Sequence, residues 1–216
     1  MIVKSFCVNM MHENTYVVSD ATRECVIIDC GCREEAERDA LAGYIAGEGL
    51  SVRRLLCTHL HLDHTFGNEF VLDRYGVRAE ANEGDRPLVE MIHYQAVAFG
   101  LGDDEAHVPT PDFTLHDGAE IRFGETTLRV VGTPGHSPGG VSLWCESEGV
   151  IFSGDSLLKG AYGATNLPGG RLKKLRRSIM ERLFALPSDT VVYPGHGEPT
   201  TIGAERESNP ILTVDN

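Results

Sequence analysis

Apolar residues in the first half of the chain come in short runs whose period changes once. Residues 2–8, 15–19 and 25–29 are β-branched or apolar, separated by the turn-rich segments 9–14 and 20–24, and so predict three short strands. Links this short imply antiparallel pairing. Within 33–46 the period becomes helical: Ala36, Ala40, Leu41, Tyr44 and Ile45 recur on one face, and Gly47 and Gly49 close an amphipathic helix. Residues 52–57 form another apolar strand, which runs without a linker into Thr58-His59-Leu60-His61-Leu62-Asp63-His64.

Helical spacing returns over 66–75 and 87–99, the second with a stripe through Leu88, Met91, Ile92 and Ala96. Strand patterning resumes over 113–131 and 141–152, with turn signals at Asp117-Gly118, Gly124-Glu125 and Glu148-Gly149. A helix over 170–186 and a strand over 190–193 complete the pattern. Two halves, each of strands followed by helix, would fit a duplicated architecture, although no repeat of fixed period is present. Histidines and acids fall at four strand ends, after Cys57, Val131, Phe152 and Tyr193, where loops at one sheet edge can converge.

Composition narrows the class only slightly. With 216 residues, 41% apolar and 24% charged, the chain has the profile of a globular protein large enough to bury a core without covalent staples. A formal charge of −13 disfavours nucleic acid as a partner. The one basic run, residues 171–177, reads as a solvated helix face, with steering of an anionic substrate as the minority alternative. No window is long and apolar enough to span a membrane, so no membrane partner is expected, and the N-terminus lacks a secretory h-region. The six cysteines, at irregular positions without an export signal, are therefore expected to be reduced in a cytoplasmic protein. Cys30 and Cys32 form a C-x-C pair best read as small semi-buried side chains.

Candidate chemistry concentrates in the segment after the fourth strand. Four of its six residues from His59 to His64 are imidazole or carboxylate, the donors that zinc and other borderline divalent metals accept. Three later segments each add one such residue flanked by glycine or proline: His136 in TPGHSPGG, Asp155 in FSGD and His196 in YPGHG. Glycine there permits close backbone approach, and proline restricts the loop. His12, Tyr162, Met10 and Met11 are rim candidates by position. His93, His107 and His116 read as surface residues.

T-H-x-H-x-D-H followed by TPGHSPG, FSGDSL and YPGHGEPTT resembles the metallo-β-lactamase superfamily, in particular its glyoxalase II-like branch of thioester hydrolases, over nearly the whole chain. The resemblance implies an α/β fold, a four-layer αββα sandwich of two mixed sheets flanked by helices, with residues 1–216 forming one hydrolase domain. It implies two divalent metal ions, zinc first with iron or manganese as alternatives. His59, His61 and His136 would hold one, Asp63, His64 and His196 the other, and Asp155 would bridge them. Two cations sharing a water lower its pKa and polarise a carbonyl, so a bridging hydroxide would attack a small thioester or acyl ester, with Asp63 orienting it and Asp155 completing the catalytic pair.

Two features depart from glyoxalase II itself. Its helical C-terminal region has no counterpart here, and Ala164 and Asn166 stand where relatives place a cation and a carboxylate, so a glutathione carrier is not implied. Lys159, Arg171, Lys173 and Lys174 are the candidates for a substitute anion contact. The enzyme alternative is a mononuclear iron persulfide dioxygenase, and the alternative of another class is a metal-binding module without turnover. The oligomeric state is left open.

Overall fold

A computed structural model describes residues 1–102 and 108–214 of the chain; His107 lies outside the described residues. Strands β1 (Ile2–Val8), β2 (Glu13–Ser19) and β3 (Glu24–Ile28) pair antiparallel in sequence order. Helix α1 (Glu35–Gly47) then crosses over, and β4 (Ser51–Leu56) joins β3 in parallel, followed by the two-residue β5 (Ala79–Glu80). The second sheet, in order β13-β12-β9-β8-β7-β6, contains β6 (Glu120–Phe123), β7 (Thr126–Gly132), β8 (Val141–Cys145), β9 (Val150–Gly154), β12 (Val191–Pro194) and β13 (Thr200–Thr201). Only β9 and β12 are parallel in it, joined through a small hairpin of β10 (Leu157–Leu158) and β11 (Ala161–Tyr162) and helix α5 (Leu172–Ser178).

Strand alternation explains the layers. On β3, Ile27 packs with Val17, Leu55, Leu41 and Val71 against α1 and α2 (Asn68–Tyr75), while Val26 and Ile28 face Leu128, Val130, Leu143 and Phe152 of the second sheet. Both faces of the strand are therefore apolar, which is why its sequence is a continuous apolar run. On the far side, Ile151 and Val192 pack on Leu175 of α5, Ile179, Leu183 and Ile202 of α6 (Ile202–Ser208). The order is helices, sheet, sheet, helices, and both sheets are mixed.

Several expected elements changed at their edges. The helix expected over 87–99 is two, α3 (Arg86–Glu90) and α4 (Ile92–Ala98), broken at Met91. The helix expected over 170–186 tightens into α5 and then widens into a π turn over Ile179–Leu183. Of the strand expected over 113–131, the first seven residues lie outside the ladder, because Gly118 turns the chain with φ +83°. All six cysteines are free, Cys30 and Cys32 fully buried. No described helix is long and apolar enough to cross a membrane.

Candidate metal centre

The parallel pairs set the location. β3 and β4 end at one edge of the first sheet, and β9 and β12 end at one edge of the second, so the loops after all four emerge together. The first carries Asp29, the second His59 to His64, the third Asp155 and the fourth His196; the β7–β8 loop adds His136. Gly154, at the β9 terminus, adopts φ +49° with Thr58 packed against the space a Cβ would fill.

The seven residues singled out in the sequence are brought together. His61 Nδ1 lies 2.9 Å from His136 Nε2, which is 3.2 Å from His59 Nε2. His64 Nε2 and His196 Nε2 are 3.3 Å apart, and Asp63 Oδ2 is 3.3 Å from His196 Nε2. Asp155 stands between the groups, with Oδ1 3.6 Å from His64 and Oδ2 3.4 Å from His136 and 3.5 Å from His196. His59, His61 and His136 could hold one ion, and Asp63, His64 and His196 another. Asp155 Oδ1 is buried without a hydrogen-bond partner, as suits an atom aimed at a cation. The donor set therefore fits divalent metal.

Electrostatics favour the same occupant. Burial, reinforced by the neighbouring imidazoles, pushes His59 well below its ordinary pKa and His61 down to about 3, which leaves both neutral with free lone pairs. Burial pulls His64 and His196 down too, but carboxylates led by Asp63 and Asp155 more than reverse it and raise both. Burial in turn favours neutral Asp63 and Asp155, yet the facing histidines, His64 first, hold both below the usual carboxylate range. The result is neutral nitrogen at His59 and His61 beside two ionised carboxylates whose partners, His64 and His196, would give up a proton to a bound cation.

A third possible cluster, Asp29 with His59 and His64, has a different role. Asp29 accepts from the Thr58 backbone N–H at 2.7 Å and its hydroxyl at 2.6 Å, and faces His64 Nδ1 at 3.1 Å. Its oxygens are spent on fixing the loop and the His64 ring, which turns Nε2 toward the site. Asp85 ties two ligand loops: it accepts from Leu60 N at 3.1 Å, Ser137 Oγ at 2.9 Å and Gly139 N at 2.6 Å. Asn14 and Tyr16 of β2 clamp the His196 loop through the Pro194 and Gly197 carbonyls.

Gln95 of α4 connects a wall helix to the ligands. Its Oε1 accepts from Leu62 N at 2.9 Å, and its Nε2 donates to Leu88 O at 2.9 Å and Leu60 O at 3.4 Å. Gln95→Leu would strand these buried groups and is expected to cost about 2 kcal/mol, lowering the melting midpoint by roughly 4–8 °C. Scanning calorimetry checks this, and an unchanged midpoint would show that the three contacts contribute nothing. None of these supporting residues was singled out in the sequence: Asp29 closes the expected strand 25–29 and was the one with a local signal, while Asp85 and Gln95 carry none.

The rim candidates divide. Met11 lines the cleft above the cluster, whereas His12, Met10 and Tyr162 do not, and Tyr162 packs in the outer helix core. His93 and His116 are exposed. None of Lys159, Arg171, Lys173 and Lys174 lines the cleft; Lys159 pairs with Glu198 at 2.6 Å.

Residues 9–196 match the metallo-β-lactamase superfamily domain. The chain belongs to that superfamily. Members are generally hydrolytic or related metal-dependent enzymes. Hydroxyacylglutathione hydrolase GloC of Haemophilus influenzae is 34% identical to this metallo-β-lactamase superfamily chain, across 98% of each protein. Among solved structures, BLEG-1 B3 metallo-β-lactamase superposes with a TM-score of 0.89 at 32% identity, over 99% of this chain and 100% of that one. TTHA1623, solved in a di-iron-bound form, gives 0.83 at 32% identity, over 98% and 100%. The fold is thus the metallo-β-lactamase fold throughout.

Proposed function

We propose that the protein is a binuclear metal-dependent hydrolase of a small thioester or related acyl ester. The observation that carries this reading is the meeting of two complete three-residue donor sets at Asp155, on the floor of an open cleft. His59, His61 and His136 would hold one ion, Asp63, His64 and His196 the other, with Asp155 shared. Two divalent ions there, zinc for preference although iron and manganese accept the same donors, supply an activated water and a Lewis acid for an acyl carbonyl. Full-length similarity to GloC supports thioester as the bond class.

The chain's own groups then act by position. Asp63 lines the cleft and engages His196 through Oδ2, leaving its other oxygen to accept a hydrogen bond from the attacking water and orient it. Asp29 keeps the His64 ring from turning, and Asp85 keeps the His59–His61 and His136 loops at fixed separation. In the net reaction the acyl carbon–sulfur bond breaks and a carbon–oxygen bond to water forms. The hydrogens of that water divide between the thiol and the acid. The free cysteines agree with a cytoplasmic setting.

Elemental analysis paired with a substrate panel tests the proposal. Two metal equivalents should accompany hydrolysis of thioesters, chelation should abolish turnover, and zinc should restore it. Preferred turnover of a β-lactam in the same panel would reassign the protein to the chemistry named for BLEG-1. Oxygen consumption with a persulfide would replace hydrolysis by dioxygenation.

A further inference from the structure

The cleft above the donor cluster has a volume of about 520 Å³, the size of a small-ligand site. One wall is the α3–α4 corner, with Met91, Tyr94 and Phe99; the facing wall is Leu167 and Pro168. Among the described lining residues there is no lysine or arginine, and Ala164 presents a methyl group. Polar side-chain atoms are confined to the floor, apart from the Tyr94 hydroxyl at the mouth and Gln95, whose amide is spent on Leu60, Leu62 and Leu88. At the mouth, Tyr94 is 62% exposed and Leu167 41%, so large apolar side chains stand in water where a bound group would cover them.

From this we propose that the substrate is recognised through an apolar acyl chain or ring and that its thiol or alcohol carrier is small and uncharged, not glutathione. The inference rests on the hydrolase reading and specifies its substrate class. Glutathione brings two carboxylates and an ammonium group with net negative charge to a chain of formal charge −13, and no lysine or arginine among the described lining residues is there to receive it. An alkyl or aryl group, by contrast, removes Met91, Phe99 and Leu167 from water along with its own surface. Burial of apolar area then favours the longer acyl group, by about fourfold for each added methylene until the cleft is filled.

The test uses the metal-loaded protein with N-acetylcysteamine thioesters from acetyl to octanoyl, beside S-lactoylglutathione. Binding of S-octyl-N-acetylcysteamine, a thioether that cannot be hydrolysed, is measured separately by calorimetry. The expected result is kcat/KM rising about fourfold per methylene, calorimetric binding of the thioether, and a flattened chain-length profile in Phe99→Ala with metal content retained. Leu167→Lys should shift preference toward the glutathione conjugate. If the thioether binds while no thioester is cleaved, the pocket assignment stands and the hydrolase reading falls. If thioesters are cleaved with S-lactoylglutathione preferred and no dependence on acyl length, the pocket assignment is overturned while hydrolysis stands. Failure of the thioether to bind also overturns it.

Discussion

Asp155→Asn is expected to lower kcat/KM by at least about 10³-fold and to reduce bound metal below two equivalents. The carboxylate faces both donor sets: Oδ1 lies 3.6 Å from His64, and Oδ2 is 3.4 Å from His136 and 3.5 Å from His196. An amide keeps the shape but replaces one oxygen by an NH₂ that cannot ligate a cation, and it removes the shared negative charge. Shape matters because Gly195 approaches so closely that a Cβ there would fall 2.2 Å from Asp155 Oδ1. The near-isosteric variant should therefore fold, and circular dichroism would confirm it. Turnover within tenfold of the parent, with two equivalents retained, would remove Asp155 from the centre of the mechanism.

The second large effect is expected at a residue outside the proposed ligand set. Asp29→Ala should destabilise the protein by roughly 3–5 kcal/mol, since a buried carboxylate that satisfies Thr58 and faces His64 disappears and leaves its partners unpaired. Backbone strain adds to this, because Asp29 sits at φ +48°, a region that aspartate and asparagine tolerate and alanine does not. Asp29→Asn separates the contributions: it keeps the backbone preference and part of the Thr58 contact but loses the charge opposite His64. Metal affinity in that variant should still fall about 10–100-fold, while more than half the lost stability returns. Urea denaturation measures the first quantity and competitive metal titration the second. Equal stability of the two variants would mean that strain and hydrogen bonding are negligible beside charge.

The seven residues of the candidate centre were legible because each sits in a short, chemically dense segment at the end of an apolar strand. The sheets were legible for the same reason: period and turn residues are local. What escaped was cooperation between distant loops. Asp85, the residue before α3, meets Leu60 and Gly139 across 25 and 54 positions of sequence, and Gln95 of α4 meets Leu62 across 33. Helix α6 escaped differently, since IGAERES has no apolar stripe and is held instead by Thr201 at its N-cap and by buried Glu205. Strands of two residues, such as β5 and β13, are defined by their partners rather than by their own composition.

Each proposed donor set draws on both sheets: His59 and His61 with His136 across the sandwich, Asp63 and His64 with His196 across it. Neither of the two proposed sets is complete on one sheet, so their capture of metal with all three donors has to wait until the two sheets have closed on each other. Ion uptake would thus be the final event of biogenesis, and a chain with misregistered sheets would be barred from activity by failing to acquire its metals.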